Sequence, residues 1–539
     1  MMAINHDIDV IDQFECDFCI IGAGSAGSVL ADRLSEDGRF RILLLEAGPP
    51  DKHPLIHVPA GFLKLQNVAA INWGFRSEPS PELNGRSLDL PQGKLLGGSS
   101  SINGTLFVRG HPEEYNRWAQ LGCKGWSYDE LLPHFRSIER YDGDHSESRG
   151  SDGPLPVTAL AVRHPLSSAF IESAKSLGFP MLPDINGPRD VGVGWFQQNR
   201  RGRFRASTAR TFLRRAMGRS NFRLLTHALC TRVVFEHRRA VGVEFLMSDR
   251  LFRVRARREV ILAAGALKSP QILQLSGVGP ADVLSRHGVA LVHHAPNVGE
   301  NLKDHLLVRV AHRAQGSVTL NERARGPRFL REFLEYFFLG RGLLSLGASN
   351  AALFARSRED VVAPDLQLSF TPGSYAGLGK LEPAPGMTIG LWQSFPESSG
   401  RVSIVSADPN TPPAISLGYL TTQLDRECMV AGIRLARKLF EEHELARHSV
   451  FETLPGSAVT GGAELLEYAR EYGVSALHFS STCRMGCDKR SVVDPELQVY
   501  GVTALRVVDA SILPSASSVN THAITVAIAE KASSIICAL

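Results

Sequence analysis

Two histidines near the C-terminal end of the chain interrupt segments of small and apolar residues. His478 opens the polar run "HFSSTCRMG" after "GVSAL", and His522 follows "SVNT" at the start of "AITVAIAEKASSIICAL". A histidine accepts and returns a proton near neutral pH, so each side chain is a candidate general base. The alternative for either is a hydrogen-bonded core residue, and for His522 it is a helix cap. The elements around them indicate which role applies.

A glycine-rich turn near the N-terminus predicts a dinucleotide site. The apolar run "DFCII" (17–21) is typical of a buried strand, "GAGSAG" follows it, and the helical "SVLADRLSE" comes next. In this context Gly22 permits the tight turn, Gly24 lets a pyrophosphate approach the backbone, and Gly27 lets the helix pack on the strand. The helix N-terminus then offers free N–H groups to the phosphates.

An acidic residue at the end of the next predicted strand narrows the choice of dinucleotide. The segment "RILLLEAG" carries Glu46 roughly twenty residues after Gly27, where a carboxylate can accept the ribose hydroxyls of an adenosine. The same carboxylate repels a 2′-phosphate. The pattern therefore favours FAD or NAD over NADP.

Two further glycine-rich segments provide loops for a large cofactor. The segment "PQGKLLGGSSSINGTLFVRG" (91–110) has apolar flanks, which indicates a buried loop with free backbone N–H groups. The segment "REVILAAGALKSPQILQLSGVG" (258–279) is typical of a strand, a glycine turn and a helix. Alternating runs at 232–236, 240–246 and 252–260 predict a β-meander.

Taken together, these motifs resemble the glucose–methanol–choline (GMC) oxidoreductases. Gly93–Asn103 is similar to the first signature of that family and Gly265–Gly279 to the second. The segments "HPLIHVPAGF", "NWGF", "GWSYDELLPHF", "HFSSTCRMG", "SVVDPELQVYG" and "LRVVDASILPS" follow the family's order. The similarity covers essentially the whole chain and is greatest to the branch of bacterial alcohol, choline and sorbose dehydrogenases.

The resemblance implies a two-domain fold of mixed α/β and α+β class. A discontinuous, Rossmann-like FAD-binding domain is expected from residues 1–160, 205–310 and 465–539. A substrate domain, an antiparallel sheet backed by helices, is expected from residues 160–204 and 311–464. The FAD-binding domain would therefore draw on both ends of the chain.

The resemblance also implies roles for single residues. His478 matches the base and His522 the residue that holds the alcohol oxygen, while Asn520 matches a polar residue two places upstream. As the base takes the proton, the alcohol carbon passes a hydride to the flavin. Trp392 and Phe479 are candidates for apolar walls of the substrate site or for ordinary core. The expected FAD contacts are Gly22, Gly24, Ser25, Ala26, Gly27, Glu46, Ala47, Trp73, Leu96, Gly98, Ser100, Asn103, Gly104, Thr105, Leu106, Val233, Leu477, Asp509, Ala510 and Thr521.

Departures from the family pattern bear on the cofactor linkage and the substrate. Ile102 stands where some members carry a flavin-linking histidine, so noncovalent FAD is expected. The segment "LGASNAALFARS" (346–357) lacks the acid that faces the trimethylammonium group in choline-oxidising members. Phe479 replaces a proline that commonly follows the base, and Gly104 removes side-chain bulk beside the flavin. These features favour an uncharged primary alcohol, with aromatic and furanic alcohols as candidates. The Pro/Gly-rich stretch 372–387 is predicted to be a loop bordering the substrate entrance.

Composition argues against several other classes of function. The 539 residues carry a formal charge of +4, with 43% hydrophobic and 21% charged residues, which is typical of a soluble globular protein and gives no reason to expect nucleic acid as a partner. The basic stretch Arg200–Arg219 lacks clustered aromatics and is interpreted as a solvated loop and helix face. The sequence shows no transmembrane run and no secretory signal. Sparse cysteines without zinc-site spacing favour the cytoplasm and no metal site.

Two alternatives stay open. A lyase of the hydroxynitrile type on the same fold would also use two histidines, but without net oxidation. For an enzyme that oxidises an alcohol to the aldehyde, the sequence does not distinguish oxygen from another electron acceptor. The expected partners are a small-molecule alcohol and one of these acceptors.

Overall fold

The computed structural model describes residues 15–144, 146–377 and 379–538. Residues 1–14, in which the sequence shows no secretory pattern, lie outside the described residues. Two seven-stranded sheets organise the chain, and they are called here the first and the second sheet. Smaller sheets and short helices connect them. Among the described helices, none combines the length and apolar character required to cross a bilayer.

The first sheet contains a parallel half and an antiparallel half. Its strand order is Phe222–Leu225, Ile42–Leu45, Glu15–Ile21, Arg250–Leu262, Arg239–Met247 and Leu229–Glu236, with Leu505–Val507 paired to the end of Arg250–Leu262. The first four of these strands and Leu505–Val507 are parallel. Strand Ile42–Leu45 is buried along its whole length, as expected for a parallel strand covered on both faces.

The structure confirms the predicted strand–turn–helix unit. Strand Glu15–Ile21 leads through the glycine turn into helix Ser25–Leu34. Gly22 has a φ of +98°, which side-chain-bearing residues rarely adopt. A Cβ atom on Gly27 would lie 1.8 Å from the carbonyl oxygen of Gly22, so only glycine lets the helix pack this closely. The predicted meander is also confirmed, because the three strands from Leu229 to Leu262 pair antiparallel.

The second sheet is antiparallel. Its strand order is Ser449–Leu454, Leu306–Ala314, Gly386–Gln393, Leu366–Thr371, Ala351–Ala355 and Gly192–Trp195, with Val474–Ser475 paired to the start of Leu306–Ala314. Helices Pro165–Ser176 and Gln423–Glu441 pack on one face and form an apolar core with it. The opposite face lines a cavity.

Nine helices of eight or more residues are present in the described part of the chain. They are Ser25–Leu34, Pro112–Gln120, Tyr128–Ile138, Pro165–Ser176, Lys268–Leu275, Gly326–Leu339, Gln423–Glu441, Gly462–Tyr472 and His522–Cys537. The last of these, expected from "AITVAIAEKASSIICAL", packs against Ser25–Leu34. The first sheet thus gathers its elements from both ends of the described chain. The residue limits of the two predicted domains stay a prediction.

Candidate active site

One elongated cavity runs between the glycine turn of the first sheet and the open face of the second. Most of the residues expected at the cofactor and substrate line it. These are Gly22, Gly24, Ser25, Ala26, Glu46, Ala47, Trp73, Gly98, Ser100, Asn103, Gly104, Thr105, Leu106, Trp392, Leu477, His478, Phe479, Asp509, Ala510, Thr521 and His522. Tyr375 and Gly377 from the stretch 372–387 line it as well, where an entrance loop is predicted.

Three expected FAD contacts lie away from the cavity wall. Gly27 packs behind Gly22, and Leu96 is buried in the core of the first sheet. Val233 is also buried, and its backbone N–H donates to Ser276 Oγ at 2.8 Å. The wall is formed instead by Leu229 and Cys230 at the start of that strand. The contact of Val233 with FAD stays a prediction.

The glycine turn and the loop 91–110 meet at the cavity. A Cβ atom on Gly98 would lie 2.8 Å from the Cα atom of Gly24, so the two backbones can approach this closely only with glycine at position 98. This contact is called here the glycine crossing. Ser25 begins its helix directly behind the crossing, with the helix N–H groups directed to the cavity. The arrangement fits the pyrophosphate of a dinucleotide.

Glu46 is held at the end of its strand by two backbone donors. The N–H of Ala23 donates to Oε2 at 2.9 Å, and the N–H of Gly48 donates to Oε1 at 2.8 Å. Burial raises the pKa of Glu46 to about 7, although both hydrogen bonds act against this shift. The carboxylate lines the cavity, where ribose hydroxyls can donate to it.

A second helix N-terminus converges on the same turn. His522 is the first residue of helix His522–Cys537, and its Nδ1 lies 3.2 Å from Ser25 Oγ. Burial lowers the pKa of His522 to about 4, with a smaller contribution from the positive charge of Arg205. A neutral imidazole therefore stands beside the dinucleotide turn rather than beside His478.

Arg205 corrects the interpretation of the basic stretch as a solvated face. Its side chain is buried, and its guanidinium donates to the Asn103 side-chain oxygen at 2.7 Å and to the carbonyl of Ile56 at 2.9 Å. Burial lowers the pKa of Arg205 to about 9. This arginine therefore holds the loop that carries Asn103 and Gly104, a role that a local charge pattern does not indicate.

His478 lines the same cavity and lies between two side chains. Asn520 Nδ2 donates to His478 Nε2 at 2.9 Å, which places the proton of the neutral ring on Nδ1. Nδ1 then donates to Nδ1 of His305 at 2.9 Å, and His305 Nε2 donates to the carbonyl of Ser517 at 2.8 Å. The three bonds are mutually consistent only with one tautomer of each histidine.

Both rings of this pair are neutral at neutral pH. Burial, together with the neighbouring ring, holds the pKa of His478 well below its ordinary value. Burial lowers the pKa of His305 to about 4. His478 Nε2 is therefore an unprotonated acceptor that faces the cavity, which is the state a general base requires.

The segment before His478 is fixed by a buried carboxylate. Asp304 accepts the His478 backbone N–H at 2.7 Å and the Ser475 hydroxyl at 2.5 Å, and it also accepts from the hydroxyl of Tyr419. Burial raises the pKa of Asp304 to about 6. Leu477, which lies between Ser475 and His478, has a φ of +64°, a conformation that costs energy for a side-chain-bearing residue.

The structure therefore brings together a different pair from the one that the sequence predicts. Asn520 contacts His478, whereas His522 contacts Ser25. The role of His522 in holding the alcohol oxygen stays a prediction, with no contact here to support it. Asp304 and His305 were missed, and the only signal for them is the polar pair "DH" before an apolar strand.

Trp392 forms a wall beside the histidine pair. Its ring stacks on His305 at 6.0 Å and meets His478 edge-on at 5.6 Å, measured between ring centroids. Phe479 lines the cavity but also belongs to the apolar core under the second sheet. Elsewhere on the cavity wall, a Cβ atom on Gly104 would lie 2.5 Å from the Cβ atom of Ala348, so glycine lets the two segments meet.

Comparison with known proteins identifies the family. Residues 16–307 match the N-terminal region of the GMC oxidoreductases, and residues 396–529 match their C-terminal region. The chain belongs to the glucose–methanol–choline oxidoreductase family. Its relatives include the alcohol dehydrogenase [acceptor] of Pseudomonas putida, 40% identical over 525 residues, covering 96% of this chain and 95% of the relative.

Two further relatives span both chains almost completely. The oxygen-dependent choline dehydrogenase of Vibrio vulnificus is 40% identical over 532 residues, covering 97% of this chain and 94% of that protein. The solved structure of pyridoxine 4-oxidase from Mesorbium loti superposes with a TM-score of 0.88 at 32% identity, covering 96% and 99% of the two chains. The predicted two-domain GMC fold is confirmed, and this GMC oxidoreductase acts on CH–OH groups with FAD as its cofactor.

Proposed function

We propose that this GMC oxidoreductase oxidises a primary alcohol to the aldehyde, with His478 as the base and Asn520 beside it. The observation that supports this assignment most directly is the unprotonated Nε2 of His478, which faces the cavity and contacts Asn520 at 2.9 Å. FAD, when bound, accepts the hydride from the alcohol carbon. The glycine crossing, Glu46 and the two helix N-termini would hold it.

The alcohol hydroxyl would donate to His478 Nε2 in place of Asn520. His478 takes the proton, and the positive charge on its ring is shared through the Nδ1 bond to His305. Among the described residues, Asn520 Oδ1 is buried and has no hydrogen-bond partner, so a ligand in the cavity can donate to it. Trp392 shields the reacting end from water, which strengthens these contacts.

The wall opposite Trp392 carries no charge that would bind an ammonium group. Ala348 and Ser349 line the cavity where choline-oxidising members are expected to place an acid. A choline-like cation would therefore be desolvated without a counter-charge. We propose that the half of the substrate next to His478 is uncharged, although some relatives are named for choline.

We further propose that oxygen or another acceptor reoxidises the enzyme and that it acts in the cytoplasm. The relatives include proteins named as oxidases and as dehydrogenases. The cysteines are all free thiols, which suits a reducing compartment. Assays with oxygen and with an artificial acceptor, run in parallel, test the first of these statements.

The test of the proposed pair is stopped-flow reduction of the bound flavin by an excess of benzyl alcohol without oxygen. Replacing His478 by Ala should slow the limiting reduction rate by about 10²–10⁴-fold, the range for a positioned base. Asn520→Ala should slow it by at least about 10-fold because the alcohol oxygen loses a partner. His443→Ala, at an exposed position, is the control and should keep the normal rate.

His522→Ala distinguishes the two candidate pairs. Because His522 contacts Ser25, its loss should weaken FAD binding and leave reduction of the loaded enzyme nearly unchanged. A loss of reduction rate equal to that of His478→Ala would restore the pair that the sequence predicts. Bleaching of the flavin by the alcohol also argues against the lyase alternative, for which none of the relatives described above gives support.

A further inference from the structure

Arg309 lies in the cavity without a counter-charge. It belongs to strand Leu306–Ala314 and lines the cavity on the open face of the second sheet. In the described part of the chain, no hydrogen bond or ion pair reaches its guanidinium, whose nearest aromatic neighbour is Tyr375, with the guanidinium carbon 5.7 Å from the ring centroid. Burial lowers its pKa, opposed only by Tyr375 and Tyr468.

Three other arginines, one on the same strand and two in the buried core, are paired with carboxylates. Arg313, four residues further along the same face of the strand, contacts Glu382 at 3.1 Å. Arg109 and Arg506 are buried and contact Glu139 and Glu259 at 2.8 Å and 2.6 Å. Removing a guanidinium from water without an acceptor is costly, so a cavity arginine of this kind is suited to an anionic ligand.

A second polar group without a hydrogen-bond partner lies two strands away from Arg309, on the same face of the sheet. Arg309 pairs with Gly390, and Gly390 pairs with Ser369 on the next strand, so the three lie in one row. Ser369 is 5% exposed, lines the cavity, and its Oγ has no hydrogen-bond partner among the residues described. Gly390 carries no side chain, and Leu307 Cδ1 packs over it, 3.1 Å from where a Cβ atom would lie. The guanidinium and the hydroxyl line the same cavity, and the Leu307 side chain lines it with them.

The position of this row relative to His478 follows from the strand register. Gly390 lies two residues from Trp392, on the same face of the same strand. Two residues span roughly 7 Å along a strand. Since Trp392 stands beside His478, the row lies one side-chain layer beyond the reacting end, at a distance that one small ring or a short chain can bridge.

We propose that Arg309 and Ser369 bind a carboxylate at the far end of the substrate. The substrate class is then a primary alcohol whose carboxylate is separated from the CH–OH carbon by several bonds, as in a hydroxymethyl-substituted aromatic acid. This inference rests on the proposed function. A carboxylate departs from the uncharged primary alcohol that the sequence predicts, because Arg309 lies in the cavity without a counter-charge among the described residues.

The geometry favours one carboxylate over other charged groups. A planar guanidinium matches a carboxylate with two parallel hydrogen bonds, and the Ser369 hydroxyl can donate one more. An ammonium group would be repelled by Arg309. A 2-hydroxy acid is too short, because its carboxylate adjoins the carbon that must reach His478.

The test compares 4-(hydroxymethyl)benzoate with its methyl ester, which has the same shape without the charge. The normal enzyme should prefer the acid in kcat/KM by about 10- to 100-fold, as expected for a charge-assisted hydrogen-bond pair. Arg309→Met should abolish this preference, Ser369→Ala should reduce it, and Arg309→Lys should restore part of it. Arg286→Gln, which removes an exposed arginine charge, should leave the ratio unchanged.

Binding without turnover separates this inference from the proposed function. The oxidised FAD enzyme is titrated with 4-methylbenzoate, an analogue without the alcohol, and binding is followed by the change in flavin absorbance. The uncharged control ligand of similar shape is 4-methylbenzamide. The acid should bind at least about 10-fold more tightly than the amide, and Arg309→Met should remove the difference. Equal affinities in the normal enzyme would overturn the carboxylate site, whether or not either alcohol is oxidised.

Discussion

A buried isoleucine, Ile102, lines the cavity where some family members attach their flavin to a histidine. It packs with Ile56, Leu65, Ile71 and Leu95 and offers no atom for a covalent bond to the cofactor. We therefore expect FAD to leave the protein on denaturation. After acid precipitation, the yellow colour and the flavin fluorescence should be in the supernatant. Flavin that remains with the precipitated polypeptide would contradict this expectation.

The buried carboxylate of Glu46 makes cofactor affinity depend on pH. Its pKa is about 7 in the protein without ligand, and ribose hydroxyls that donate to it favour the ionised form. Below this pKa, FAD binding must first remove a proton, so affinity falls as the pH falls. Between about pH 8 and about pH 6, the dissociation constant for FAD should rise by roughly 10-fold.

Fluorescence titration of the FAD-free protein measures this effect. Glu46→Gln should bind FAD more weakly at the higher pH, because a charge-assisted hydrogen bond is lost, and its affinity should vary little with pH. Asp51→Asn, at another carboxyl group whose pKa burial raises, is the matched control and should keep the normal pH dependence. A normal enzyme with pH-independent affinity would show that Glu46 does not titrate on binding.

At the scale of elements, helix Pro112–Gln120 positions the loop that carries Asn520. Glu114 on this helix is buried and accepts the Ser518 backbone N–H at 2.9 Å and the Ser518 hydroxyl at 2.5 Å. Glu114→Ala should slow flavin reduction by about 10- to 100-fold, because a small displacement of Asn520 weakens its contact with the alcohol. FAD affinity should be retained.

The same helix offers a matched control. Glu113 is exposed, and Glu113→Ala should reduce the flavin at the normal rate. Glu114→Gln should recover part of the lost rate, since an amide oxygen accepts the same two hydrogen bonds. A Glu114→Ala variant with a normal reduction rate would show that the Ser518 loop is held by its other contacts.

Elements with local signals could be predicted, and contacts between distant segments could not. The glycine turn and the meander depend on neighbouring residues, so their sequence patterns suffice. That Asn520 rather than His522 contacts His478 depends on where the last helix begins. As the first helical residue, His522 points back towards Ser25, whereas Asn520 lies in the loop before the helix.

The residues missed around the site illustrate the same limit. Arg205 reaches Asn103 and Asp304 reaches Ser475 across more than a hundred residues of chain, and neither contact leaves a spacing to detect. Arg309 could not be predicted for another reason: what marks it is that its guanidinium has no acidic partner among the described residues. The absence of that partner can be seen only once the cavity is assembled.

At the scale of the whole molecule, the cavity that is proposed to hold FAD and substrate joins the two sheets. Gly22 and Glu46 come from the first sheet, Arg309 and Trp392 from the second, and all line one cavity. FAD should therefore stabilise the entire fold. At a free concentration about 100 times its dissociation constant, a bound ligand contributes about 2.7 kcal/mol.

Differential scanning fluorimetry of the FAD-free protein, with added FAD at increasing concentration, measures this stabilisation. The apparent Tm should rise with FAD concentration as one transition, and Glu46→Gln should require more FAD for the same rise. Riboflavin, which lacks the pyrophosphate and adenosine, is the control and should raise Tm far less. Two transitions, of which FAD shifts only one, would show that the sheets unfold independently.

The first sheet joins strands that lie far apart in the chain, which has a consequence for biosynthesis. Strand Leu505–Val507 pairs with a strand made more than two hundred residues earlier, and helix His522–Cys537 covers helix Ser25–Leu34. While the ribosome still holds residues beyond 505, the glycine turn lacks its second helix N-terminus and the cavity lacks His478's neighbour Asn520. Synthesis from the N-terminal end therefore finishes the cofactor site last. Flavin capture should therefore wait until the last helix has been made, and a chain that stops before residue 505 should stay without colour.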